Sequence, residues 1–172
     1  MLSSFKVDEY LKVDNLNRVN LITGRNNTGK TAFLNEIFYY YFDDVSVPAS
    51  FIMPTTHFER SGDRKIEAIN KELEKNENGI VLIDGIEVNI HHSRYTELWE
   101  LIREKAIKYN CQVFATTLSY ECIASAFEVF SKYEPYELSF YNFSYKDFAI
   151  MVTYYDKETL QSALELGLEI RG

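Results

Sequence analysis

The sequence predicts an α/β protein with a mainly parallel central sheet, and three observations carry that prediction. Short apolar runs of strand length alternate with stretches in which apolar residues recur at helical spacing, the order that builds a parallel sheet. One run, Ile80-Val81-Leu82-Ile83, is apolar throughout and ends in Asp84, the pattern of a central strand buried on both faces. Between another run and a helical stretch lies Gly24-Arg25-Asn26-Asn27-Thr28-Gly29-Lys30-Thr31, which reads G-x-x-x-x-G-K-T.

In chain order, Phe5, Val7, Tyr10 and Leu11 alternate imperfectly and read as a strand. Residues 19–23, Val-Asn-Leu-Ile-Thr, read as a buried strand that stops at Gly24. From Lys30 to Phe42, the residues Phe33, Leu34, Ile37, Tyr40 and Tyr41 fall at helical spacing. Residues 50–53 form a short strand closed by Pro54, and 61–75 form a helix with Ile66, Ile69 and Leu73 on one face. After the strand ending at Asp84, residues 95–109 read as a helix with Leu98, Leu101, Ile102 and Ala106 inward. Residues 112–115 are a further strand and 119–131 a further helix. A hairpin over 136–143 and 148–155 and a helix over 158–166 close the chain, so antiparallel additions are expected at both ends of the sheet.

A chain of 172 residues with 46% apolar residues can bury one substantial core, and one domain over 1–172 is expected. No apolar run approaches the length of a membrane span, and the first residues lack the apolar stretch of a secretory signal. Cys111 and Cys122 have no metal-ligand spacing and read as buried, reduced thiols of a cytoplasmic protein. The formal net charge of −8 argues against direct DNA binding, which rests on basic side chains neutralising phosphates. That charge still leaves room for a local basic patch, for instance around Arg60, Arg64 and Lys65.

The 24–31 motif in its strand–helix context is a P-loop. Its glycines let successive N–H groups turn toward phosphate oxygens, and the following helix N-terminus adds partial positive charge. Lys30 is expected to reach the β- and γ-phosphates, and the Thr31 hydroxyl to ligate Mg²⁺. Asp84 is the acid that a P-loop protein needs at a neighbouring strand end to hold the metal's shell. ATP and Mg²⁺ are therefore the expected cofactors. No guanine-reading Asn/Thr-Lys-x-Asp appears, which favours adenine or low selectivity.

The run Asp14-Asn15-Leu16-Asn17-Arg18-Val19-Asn20-Leu21-Ile22 into the P-loop carries a resemblance. So do residues 78–87, Gln112-Val113-Phe114-Ala115-Thr116-Thr117, and the closing stretch 164–171. Together they resemble the OLD-like (overcoming-lysogenisation-defect) branch of AAA/ABC-type P-loop ATPases, over nearly the whole chain. The resemblance implies an ABC-ATPase-head-like fold that binds ATP between two heads, many members acting beside nucleases or in defence against foreign DNA.

The departures bear on activity. The family has Asp-Glu after this strand, the Glu polarising water; here the pair is Asp84-Gly85, and glycine cannot act as a base. Glu87 matches a second family acid and would serve as the catalytic group only if the backbone brings it to the water. The γ-phosphate-sensing His expected after Ala-Thr-Thr is Leu118. The only glutamines, Gln112 and Gln161, do not follow the 50–53 strand, where an ABC-type glutamine meets Mg²⁺. Ser61-Gly62-Asp63 is similar to the family's Ser-Gly signature, which touches a partner's γ-phosphate, and equally reads as a plain helix cap. His91 falls where the family often has a His, although His91 and His92 read more simply as a solvated or packed pair. Tyr39-Tyr40-Tyr41-Phe42 reads as core and interface rather than an adenine platform.

These readings point to an ATP-binding domain with weak or absent hydrolysis, acting as a nucleotide-dependent switch or assembly module. ATP would bridge 24–31 of one copy and 61–63 of another, or act with a partner effector protein. Two alternatives are a slow ATPase using Glu87 or a partner's residue, and a small-molecule P-loop kinase with Arg60 and Arg64 on a lid.

Overall fold

The computed structural model describes residues 1–7, 11–42, 47–53 and 62–171. Among the described residues, eight strands and five α-helices follow one another. They are β1 (Phe5–Lys6), β2 (Lys12–Val13), β3 (Val19–Thr23), α1 (Lys30–Phe42), β4 (Ala49–Ile52), α2 (Gly62–Lys75), β5 (Ile80–Ile83), α3 (Tyr95–Lys108), β6 (Gln112–Thr116), α4 (Tyr120–Ser131), β7 (Leu138–Lys146), β8 (Ala149–Tyr155) and α5 (Lys157–Glu165).

The six-stranded sheet runs β4-β5-β6-β3-β7-β8, parallel from β4 to β7, with β8 antiparallel at the edge. Its central strands are buried on both faces, as the unbroken apolar run at 80–83 requires. Alternation within each strand divides the core in two. Val19, Leu21, Val81, Ile83, Val113 and Ala115 point to one face, covered by α2, α3, α4 and α5. Ile22, Ile80, Leu82, Phe114, Tyr141 and Phe143 point to the other, covered by α1 and the β1–β2 pair. The fold is thus three layers, α/β/α.

Several expectations need correction. Phe5 to Leu11 is not one strand: Tyr10 lies outside the described residues, Phe5 lies on β1, and Val7 N–H donates to Leu11 C=O at 2.9 Å ahead of β2. That pair forms its own two-stranded sheet, so the central sheet gains an antiparallel strand at one end only. Tyr40 is 69% exposed and Tyr39 67%, so these two rings are surface rather than core, while Tyr41 packs against the core. Lys65 belongs to no basic patch, because it is fully buried. Trp99, not foreseen as core, is fully buried and donates its indole N–H to Cys122 C=O at 3.0 Å. Cys111 and Cys122 are buried and free, as expected, and burial pushes the Cys122 thiol up to about 12. No helix among the described residues is long and apolar enough to cross a membrane.

Candidate functional site: a phosphate loop above the sheet

The C-terminal ends of β3, β5 and β6 meet on one edge, where open parallel sheets place their ligands. The loop leaving β3 turns through three residues with positive φ, Gly24 (138°), Asn27 (64°) and Gly29 (86°). Gly24 is needed for two reasons, since a Cβ there would also collide with the Phe143 carbonyl of β7. Thr28 ties the loop together by donating to Arg25 C=O at 2.9 Å.

Lys30 opens α1 and folds back over the loop, its Nζ donating to the carbonyls of Gly24 and Arg25, both at 2.6 Å. Partial burial lowers its pKa, opposed by the charges of Asp84 and Glu87. The N-terminus of α1 is prepared for an anion. It has no acidic residue in its first turn, whereas α2, α3, α4 and α5 carry Asp63, Glu97, Glu121 and Glu158 there.

Asp84, 9% exposed, accepts from the Thr31 hydroxyl at 2.8 Å and from the Thr116 hydroxyl at 2.5 Å. Thr116 in turn accepts from Gly85 N–H at 2.8 Å, which locks the strand end. The Thr31 and Asp84 oxygens are hard donors that suit Mg²⁺, which usually takes one or two carboxylates and completes its shell with water and phosphate. Among the described residues no cluster of three or more His, Cys, Asp or Glu could hold a metal without such help.

These groups line a cavity of 760 Å³ formed by residues 26–32, 84, 85, 87, 88 and 116–118. Asn26, Asn27, Thr28, Gly29, Lys30, Thr31 and Asp84 line this one cavity, and Glu87 lines it with them. Arg25 is not: with Gly24 it lines a separate cleft beside Glu169 and Arg171. There Arg171, and more weakly Arg25, holds Glu169 down to about 2. Gly24 contributes its carbonyl to Lys30 rather than a wall to the cavity. Ser61 lies outside the described residues. Gly62 begins α2, packed against Asn89 and Ile90 and away from the cavity.

The positions where the resemblance expects water-activating and phosphate-sensing groups are distinctive. Gly85 adopts φ 58°, so a side chain there would be forced into the left-handed region. Leu118 lines the cavity with a side chain that offers no hydrogen bond. Glu87 reaches the cavity from the turn after β5 and accepts from Leu118 N–H at 2.8 Å. Its second oxygen, Oε2, is buried without a hydrogen-bond partner. Gln112 is structural: it bonds both the N–H and C=O of Leu2 and the C=O of Asn17. Gln161 pairs with Glu165 on α5. His91 and His92 are exposed, and His91 caps the short turn before α3.

Lys65 was missed as a site residue. From inside the α2 face it donates to Gly85 C=O at 2.6 Å and Val88 C=O at 3.0 Å, clamping the turn that carries Glu87. The signal was present, since Lys65, Ile69 and Leu73 are spaced four apart and share a face.

No protein-family model matches the chain, and no curated protein matches it. Among solved structures it is similar to C. elegans PCH-2, at 22% identity and TM-score 0.47, over 65% of this chain and 34% of that one. It is similar to the Smc head bound to the C-winged helix domain of ScpA, at 18% identity and TM-score 0.41, over 59% of this chain and 28% of that one. A third is the Smc head domain with an extended coiled coil bound to the C-terminal domain of ScpA, derived from Pyrococcus furiosus. There the identity is 18% and the TM-score 0.37, over 56% of this chain and 20% of that one. The chain spans about a third or less of each neighbour's length. Likenesses of this size carry no assignment of activity, which has to be argued from the site itself.

Proposed function

We propose that residues 1–172 form one cytoplasmic nucleotide-binding domain, an OLD-like, ABC-head-like P-loop module. It binds Mg²⁺–ATP and hydrolyses it weakly or not at all. The observation that carries this reading is the contrast within one cavity. Lys30, Thr31 and Asp84 are arranged to hold phosphates and metal, while the positions that would activate water and sense the γ-phosphate are Gly85 and Leu118. Such a domain acts as a switch or assembly module, with nucleotide joining two copies or recruiting an effector protein. The Gly62 end of α2 is the candidate surface for the second copy.

A second reading, a slow ATPase, is favoured by one specific observation. Glu87 lies in the same cavity with an unpartnered Oε2, a position from which a carboxylate can orient water. The kinase reading turns on Arg60 and Arg64, and Arg60 lies outside the described residues.

The discriminating experiment measures ATP binding by calorimetry and phosphate release on the same sample with Mg²⁺, for the wild type, Asp84→Asn and Glu87→Gln. Binding without release supports the switch. Slow release that disappears in Glu87→Gln with binding retained supports the second reading. Rapid turnover abolished by Asp84→Asn would overturn the switch.

A further inference from the structure

A second cavity, of 480 Å³, opens on the other side of the phosphate loop between the first turns of α1 and the tip of the β7–β8 hairpin. We propose that it receives the purine base of the nucleotide whose phosphates lie on residues 24–31. Phe148 and Tyr145 would be its stacking faces, and the Glu36 and Asp147 carboxylates its hydrogen-bond acceptors. The inference rests on the nucleotide reading above and adds a base subsite to it.

Continuity is the first argument. Gly29 and Ala32 line both this cavity and the phosphate cavity, so a ligand anchored on the loop can extend across them into the second space. The hairpin is also fixed relative to the loop: a Cβ on Gly29 would collide with Ile150 Cδ1, so β8 rests directly on the P-loop backbone.

The second argument is Phe148. It is 95% exposed at φ 63°, with Asp147 beside it at φ 50°. An aromatic side chain is a poor choice for a left-handed turn position and gains nothing from folding when it stays in water. Asn or Gly would serve that turn better. Strain of this kind, held at the mouth of a cavity, is accounted for when a flat ligand covers the ring.

Charge selects the ligand. Among the described residues that line the cavity the charged groups are the Glu36 and Asp147 carboxylates, which repel phosphate and favour N–H donors. Apolar walls with a few directed acceptors suit a base bearing ring and exocyclic N–H groups. Base–aromatic stacking needs no further sequence-specific contact.

The test titrates the full chain with Mg²⁺ and ATP, GTP or inorganic tripolyphosphate by calorimetry, comparing wild type with Phe148→Asn and Glu36→Gln. Phe148→Asn removes the ring while keeping a residue that tolerates the turn, so the fold should persist. In the wild type at least one purine nucleotide should bind about ten-fold or more tighter than tripolyphosphate. Phe148→Asn should remove most of that difference and leave tripolyphosphate within about two-fold of wild type. Glu36→Gln should change the ATP-to-GTP ratio without affecting tripolyphosphate. Equal wild-type affinities for nucleotide and tripolyphosphate would overturn the base subsite while leaving the phosphate loop intact. So would a Phe148→Asn variant that loses self-association but keeps its nucleotide affinity, because the ring would then serve a contact with a second copy. Failure of every ligand to bind would sink the nucleotide reading, and this proposal with it.

Discussion

Replacing Lys65 with Met tests how the turn carrying Glu87 is held. Met keeps the length and apolar stem of the side chain and removes the ammonium. Lys65 is fully buried, and its Nζ donates to Gly85 C=O at 2.6 Å and Val88 C=O at 3.0 Å. Two charge-assisted hydrogen bonds are lost, each worth about 1.5–3 kcal/mol, and two carbonyls lose their partner. Removal of a buried charge offsets part of this, because its desolvation no longer has to be met. The net expectation is a loss of roughly 3 kcal/mol, or roughly 6–12 °C in Tm for a chain of this size. Thermal unfolding read by near-UV circular dichroism measures the loss. Hydrogen exchange at the Leu118 amide, which donates to Glu87, reads the turn separately and should accelerate well before global unfolding. A variant within about 0.5 kcal/mol of wild type, with Leu118 exchange unchanged, would refute the clamp, since that is the range of ordinary surface substitutions.

Three further outcomes follow from the site. Gly24→Ala forces a side chain into φ 138° and against the Phe143 carbonyl. It should lower stability by about 2 kcal/mol or more in urea titration and abolish ATP binding. Gly85→Glu introduces the acid that the OLD-like resemblance expects but places it at φ 58°, at a cost of about 1–2 kcal/mol. It should therefore not raise phosphate release to a rapid rate. The third concerns Lys30, whose pKa in the free loop is depressed by burial. The free loop is thus disfavoured by charging Lys30: its contribution to stability is full at high pH and falls as pH drops through the unfolded and then the folded value. Bound polyphosphate reverses this by favouring the ammonium. ATP binding should then take up protons at alkaline pH, between the lowered value and the usual 10.5, and take up none through Lys30 at neutral pH. Calorimetry in buffers of differing ionisation enthalpy measures the uptake.

Much of the fold is written in local patterns. The all-apolar run Ile80–Ile83 is sufficient to identify an interior parallel strand, and the Gly-rich stretch between Thr23 and Lys30 marks the loop from β3 to α1 that we propose holds phosphates. What the sequence leaves hidden depends on long-range packing. The β1–β2 pair could not be separated from the central sheet because both place short apolar stretches beside polar turns. The exposure of Tyr39 and Tyr40 is set by long-range packing, which helical spacing does not report. Arg25 belongs to the motif by position, yet its neighbours are Glu169 and Arg171, more than a hundred residues away in the chain. Lys65 was legible by periodicity but is easily read as a surface charge, since lysine is rarely buried without partners. Its partners include two backbone carbonyls, which no sequence motif records.

The central claim, that residues 24–31 with Thr31 and Asp84 hold a nucleotide's phosphates and Mg²⁺, is tested most directly by ATP calorimetry on wild type and Lys30→Ala, each with and without Mg²⁺. The account predicts saturable binding by the wild type that strengthens with Mg²⁺ and falls on the order of a hundred-fold or more in Lys30→Ala. Binding of equal strength in both proteins, or none in the wild type, would contradict it.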